Sequence, residues 1–160
     1  MPPEASALLT GGFAAFAVTL AAVVAAGVRF AVRRSGLSAD TQRRWVVRAV
    51  VLMAAWMGFT WWAAASGLLA SFDRRPPPLV LLLLSIFVIA VVVGLSRVGG
   101  VIVKGVPLVA LVGLQGFRLP LELLMHRAYV EGVMPVQMSY SGSNFDIVSG
   151  ASAIVVAVLL

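Results

Sequence analysis

The chain has 160 residues, of which 61% are hydrophobic and only 11% are charged, and its net charge is +6 at pH 7. So few charged residues cannot coat a soluble globule, which places the chain among polytopic membrane proteins. The absence of cysteine excludes disulfides, thiolate zinc sites, iron–sulfur clusters and cysteine nucleophiles within these residues. Most basic residues lie between apolar stretches, where they indicate orientation in a membrane rather than nucleic-acid binding.

The apolar stretches predict an all-α fold, a polytopic bundle of transmembrane helices. Each crossing needs roughly 20 apolar residues, so the chain has room for about five spans. No separate soluble domain fits beside them, and we expect residues 1–160 to form a single membrane domain. The last span reaches Leu160 after 14 residues without a polar flank, which predicts that the chain is truncated there. The predicted spans are residues 7–28, 49–70, 79–96, 106–127 and an incomplete 147–160.

The connection after the first span is rich in arginine. Residues 29–48 hold six arginines and a single acid, Asp40. Such a bias predicts the cytoplasmic side of a bacterial cytoplasmic membrane, with the N-terminus outside. Residues 38–48 also suit a short helix on anionic headgroups, with Trp45 at the interface. Orientation alone explains the arginines without any ligand, and we favour that interpretation.

Polar side chains of the fourth span share one helical face. Their spacing of i, i+3, i+7, i+11 and i+14 keeps them within about a third of the circumference. The span also contains Pro120, so its second half is either transmembrane or a separate helix at the interface, and we favour the transmembrane alternative. The members of this polar stripe are Gln115, Arg118, Glu122, His126 and Tyr129.

The stripe supports two hypotheses. An unpaired charge inside the bilayer costs at least about 2.5 kcal/mol, so we expect Arg118 to pair with Glu122 one turn later. In a proton-coupled or ion-coupled permease, Arg118 would be a fixed charge, Glu122 a titrating carboxylate and His126 the group that exchanges protons with the outside. Alternatively, the pair only anchors a helix kinked at Pro120. We favour the structural alternative.

Two weaker signals point to chemistry. Glu122 and His126 have the i, i+4 spacing of metal ligands, but a site needs more ligands than two, and we expect neither a metal nor a cofactor. The segment Gly150-Ala151-Ser152-Ala153 resembles the nucleophile motif of rhomboid intramembrane proteases. No histidine follows Ser152, and His126 precedes it in the wrong order for that family. Small-residue helix packing explains the segment better, so no catalytic residue is assigned.

Residues 128–146 form the longest polar stretch on the predicted outer side, in which Asn144 and Asp146 are the candidate functional residues. Two pieces of sequence, Phe117-Arg118-x-Pro120-x-Glu122 and Gly142-x-Asn144-Phe145-Asp146-Ile147, resemble a pattern in a family of small, uncharacterised bacterial integral membrane proteins. The resemblance covers about 35 residues and implies further spans after the polar segment. It implies no activity, substrate or catalytic residue.

The sequence therefore favours a non-enzymatic structural or interaction component over a permease, with an intramembrane enzyme third. In this hypothesis the outer polar segment packs on the bundle or binds a partner. The lipid bilayer is one expected partner, and the choice between a protein partner and a homo-oligomer stays open.

Overall fold

The computed structural model describes residues 4–160, and these confirm the all-α fold, because they contain seven α-helices and no strand. Short 3₁₀ turns lie at Leu68–Ala70, Gln115–Phe117 and Val136–Met138. The helices are α1 (Ala7–Arg33), α2 (Ala39–Ala65), α3 (Pro78–Leu95), α4 (Arg97–Gly105), α5 (Leu108–Leu114), α6 (Arg118–Val130) and α7 (Asp146–Leu159).

Within residues 4–160, four helical segments are long and apolar enough to cross a membrane, as in a multi-pass membrane protein. The most apolar is α3, which has no buried residue. An apolar helix with its whole surface uncovered is typical of a span that faces lipid. α7 is apolar but has only 14 residues. The four segments are α1, α2, α3 and the continuous stretch Leu108–Val130.

α2 begins about ten residues before the predicted second span. It is one helix of 27 residues that includes the arginines of its first turns, rather than a separate interfacial helix over residues 38–48 followed by a span. No glycine or proline interrupts residues 39–57, so nothing in the sequence ends the helix there. At about 1.5 Å per residue α2 is about 40 Å long, which exceeds the hydrocarbon thickness of about 30 Å.

Contacts within the chain group it into two compact units, where the sequence predicts one domain. The first unit consists of residues up to Val24 together with Val106–Leu160, and the second is Ala25–Gly105. In the second unit the end of α4 packs on α1, where a Cβ on Gly105 would lie 2.7 Å from Ala31 Cα. Residues 97–105, which connect the predicted third and fourth spans, are thus helical and closely packed.

In the first unit, α5 and α6 form one apolar stretch joined by the 3₁₀ turn at Gln115–Phe117. Pro120 explains this turn, because it has no N–H to donate to Gly116 and its ring crowds that carbonyl. The stretch Leu108–Val130 nevertheless keeps the length and hydropathy of a span. The transmembrane alternative for this segment therefore agrees with the structure better than a separate interfacial helix does.

α7 lies antiparallel to α5 and α6, and glycines make the close approach. A Cβ on Gly150 would lie 3.0 Å from the backbone nitrogen of Leu119. Further along, Gly116 faces Ile154, and Gly113 faces Ala157. Within the small-residue segment at the start of α7, Gly150 thus serves helix packing, whereas Ala151 and Ser152 are exposed.

Candidate functional site

Arg118 forms an ion pair with Asp146, not with Glu122 as expected from the sequence. Its Nη1 lies 2.5 Å from Asp146 Oδ1, and the contact joins the first residues of α6 and α7. Arg118 lies ten residues after Leu108, about 15 Å along the helix, so the pair is near the middle of the span. Helix periodicity predicted Glu122 as the partner of Arg118, because it lies one turn away on the same helix. In the folded chain the partner is Asp146, which lies 28 residues further along the sequence.

Glu122 is buried, with 1% of its surface exposed. Its Oε2 accepts a 2.8 Å hydrogen bond from Asn144 Nδ2, which also donates to the Met138 carbonyl at 3.1 Å. Its Oε1 has no hydrogen-bond partner among the described residues. A buried carboxylate with one donor is incompletely satisfied, so the Asn144 bond is the main polar contact holding this side chain.

His126 is held by polar and aromatic neighbours. Its Nδ1 shares a 3.1 Å hydrogen bond with Ser141 Oγ. The imidazole stacks on the Tyr140 ring with centroids 4.3 Å apart, and the Tyr129 ring lies 5.8 Å away. Tyr129 itself is 36% exposed. The stack therefore holds the His126 ring in a fixed position at the edge of the site.

These contacts form a ladder between α6 and the segment that follows it, residues 131–145, which we call the polar connector. Arg118, Glu122 and His126 lie on successive turns of α6. Their partners in the connector and at the start of α7 follow in the reverse order along the chain. Three members of the predicted stripe, Arg118, Glu122 and His126, therefore lie at one site with the candidates Asn144 and Asp146. The three rungs are Arg118–Asp146, Glu122–Asn144 and His126–Ser141.

The polar connector is folded around Ser139, whose exposed fraction is 0%. The Ser139 carbonyl accepts bonds from the backbone N–H groups of Gly142 at 2.9 Å and Asn144 at 3.4 Å. Its Oγ accepts a further bond from the Ser141 N–H at 3.3 Å. Gly142 lies so close to the Val136 carbonyl that a Cβ has no room. The connector is a defined turn that aims Asn144 and Ser141 at α6.

A second anchor lies at the end of α6. Ser6 donates to both carboxylate oxygens of Glu131, from its N–H at 2.9 Å and from its hydroxyl at 2.8 Å. Arg127 Nε adds a third bond at 2.7 Å. These donors, Ser6 above all, hold the pKa of Glu131 below its ordinary value. The Arg127–Glu131 pair, which has the i, i+4 spacing of a helix surface contact, is thus part of a tie between the start of α1 and the end of α6.

No pattern in the sequence marks Ser6, Ser139, Tyr140 or Ser141 as site residues. Only the glycine at position 142, which marks a tight turn, signals that the connector has a fixed shape. The contact of Ser6 with Glu131 joins residues 125 positions apart. Nothing in either local sequence specifies that pairing.

Gln115 lies apart from the ladder, exposed on the 3₁₀ turn. With Arg118 it lines an open groove of about 340 Å³ between α5 and α7. Ser152 also lines this groove, but its hydroxyl donates to the Ser149 carbonyl at 3.0 Å, and the hydrogen-bond partner of His126 is Ser141. The arrangement therefore does not bring Ser152 to a hydrogen-bonded base. Within residues 4–160, no three His, Cys, Asp or Glu side chains are grouped as metal ligands.

No protein-family model, curated protein or solved structure matches this chain. The resemblance to a bacterial membrane protein family stays a prediction, and the site must be interpreted from its own geometry.

Proposed function

We propose that this protein is a non-enzymatic component of the bacterial cytoplasmic membrane that presents its polar connector as a fixed surface to a protein partner. The observation that supports the proposal is the ladder itself. Arg118, Glu122 and His126 each contact a residue of the connector or of the start of α7. Each of these three groups already has a partner in the chain, which favours a role in positioning the connector.

The energetics favour a structural role for the ladder. A hydrogen bond to a charged group contributes about 1.5–3 kcal/mol, and leaving a buried partner unsatisfied costs a similar amount. The acceptor of the Glu122–Asn144 bond is buried, since Glu122 is 1% exposed, so the cost of leaving it unsatisfied applies here. Removing the connector would leave that carboxylate without its donor, so the connector and α6 stabilise each other.

The polar connector has exposed side chains that would meet a partner. Met138, Tyr140 and Phe145 are exposed by 49%, 39% and 73%. Methionine and aromatic side chains are enriched in protein interfaces, and here they stand on a turn whose backbone is already ordered. A preformed surface of this kind loses little conformational entropy on binding.

The test is site-specific photocrosslinking in intact membranes. A photoreactive residue at Phe145 should give a discrete protein adduct, either with another protein or with a second copy of this chain. The same photoreactive residue at Phe87, a matched control because it is a phenylalanine on α3 with 67% exposure, should give only lipid adducts. Equal adducts at both positions, or solute transport by the purified protein alone, would contradict the proposal.

A proton- or ion-coupled permease is the second candidate. Two observations favour it, namely the unpartnered Oε1 of Glu122 and the groove beside Arg118 and Gln115. Proteoliposomes under an imposed pH gradient and potential would then carry protons at a rate that falls in Glu122→Gln. A flux that Glu122→Gln leaves unchanged would remove this carboxylate from the mechanism, and the absence of flux would reject the permease.

A further inference from the structure

A basic patch lies on the first turns of α2, within the second unit. It consists of Arg43, Arg44 and Arg48, all exposed, which line a concavity of about 470 Å³ together with Asp40 and Val47. All five residues belong to the second unit, so the patch is separate from the ladder.

The arginines of this patch have no acidic partner. Among the described residues the ion pairs are Arg118–Asp146 and Arg127–Glu131, and neither involves α2. Arg44 donates one long bond of 3.4 Å to Thr41. A guanidinium has five N–H donors in a planar fork that matches phosphate oxygens. Most of the donors in the patch are therefore available to an anion.

The residues that precede α2 in the sequence add to the positive charge of this region. α1 ends at Arg33, and five residues, 34–38, connect it to α2. So short a connection keeps the arginines at the end of α1 near the patch. Arg34 is held with its guanidinium 4.2 Å from the centroid of the Phe30 ring. Two helix ends thus bring positive charge to one edge of the second unit.

The position of the patch along α2 identifies the source of the anion. α2 is about 40 Å long and the hydrocarbon is about 30 Å thick, so its first turns extend to the headgroup level. Just beyond the patch, Val50, Val51 and Leu52 are exposed by 44%, 57% and 69%, as expected for a surface facing acyl chains. A ligand here would have its phosphate beside arginine and its hydrocarbon beside valine and leucine.

We propose that Arg43, Arg44 and Arg48 bind the phosphate of an anionic phospholipid, with Val47 against the start of its acyl chains. Asp40 lies in the same concavity, and a carboxylate can only accept hydrogen bonds. It therefore favours a headgroup that offers hydroxyl groups, such as glycerol, over a bare phosphate monoester.

The test is titration of the purified protein with phosphatidylglycerol in a neutral detergent, followed by native mass spectrometry. Arg43→Gln with Arg44→Gln should weaken binding on the order of tenfold. Arg74→Gln with Arg75→Gln is the matched control, because it also removes two adjacent exposed arginines and should leave affinity unchanged. Four of the six arginines in residues 29–48 remain in the test variant, so the orientation signal is retained.

Three further arms decide the outcome. Arg43→Lys with Arg44→Lys should bind with intermediate affinity, because lysine keeps the charge without the fork, and it replaces the glutamine variant if that variant does not fold. Phosphatidylcholine should bind far more weakly than phosphatidylglycerol. The proposal would be overturned if the test and control variants lost affinity for phosphatidylglycerol equally. It would also be overturned if inorganic phosphate at equal concentration displaced the lipid, because free phosphate would then suffice.

Discussion

Asn144 Nδ2 donates a 2.8 Å hydrogen bond to Glu122 Oε2 and joins the polar connector to the buried face of α6. Glu122 is 1% exposed and its other oxygen has no partner among the described residues. The carboxamide is therefore the main polar contact of a buried acid, and the stability of this part of the first unit depends on it.

Replacing Asn144 by leucine should destabilise the protein by about 1–3 kcal/mol, because it leaves a buried carboxylate without a donor. Thermal unfolding in detergent measures the effect. Ser143→Ala, at an exposed neighbouring position, is the control and should change stability by less than about 0.5 kcal/mol. Equal stability of the two variants would show that the bond contributes nothing.

A double-mutant cycle should distinguish the true partner of Arg118. Arg118→Gln and Asp146→Asn should couple by about 1–3 kcal/mol, since they remove the two ends of one charged hydrogen bond. Arg118→Gln and Glu122→Gln should be nearly additive. A coupling larger for Glu122 than for Asp146 would restore the pairing that helix periodicity suggested.

Glu131 should make stability depend on pH. Its pKa is lowered in the folded protein by the bonds from Ser6 and, to a lesser extent, Arg127. A lowered pKa means that this contribution is complete above the ordinary pKa of a glutamate and is lost as pH falls through the folded value. The difference in melting temperature between the wild type and Glu131→Gln should therefore be largest near neutral pH and shrink on acidification.

Ser6→Ala checks the cause of that pH dependence. It removes the hydroxyl donor to Glu131 and keeps the backbone N–H, so part of the dependence should remain. A full pH dependence in Ser6→Ala would assign the effect to other donors. A difference between wild type and Glu131→Gln that grows on acidification would contradict the lowered pKa.

Glycine substitutions should have opposite signs at two helical positions. Gly150→Ala should destabilise the protein by about 1–3 kcal/mol, because its Cβ meets the backbone of Leu119 and overpacks the α6–α7 contact. Gly11→Ala, with nothing within 4 Å of its Cβ, should stabilise α1 by about 0.5–1 kcal/mol. Thermal unfolding measures both. Equal effects would mean that α7 does not pack closely on α6.

The sequence was sufficient to predict the all-helical fold and to place Arg118, Glu122 and His126 on successive turns of a helix, because apolar run length and helical periodicity are local properties. It also identified Asn144 and Asp146 as candidates. It did not predict which stripe residue each one meets, since that depends on the turn around Ser139. α2 begins earlier than the predicted second span. The arginines suggested that a span starts after them, whereas an uninterrupted run of helix-forming residues continues through them.

The central claim, that the polar connector is folded against α6, is tested most directly by cysteine labelling. Ser139→Cys and Ser141→Cys are near-isosteric changes two residues apart in a chain without native cysteine, one fully buried and the other exposed. With both membrane faces open to a hydrophilic thiol reagent, we expect Cys at 141 to react rapidly and Cys at 139 to be protected until the protein unfolds. Equal, rapid labelling at both positions would show that the connector is an open loop and would contradict the account.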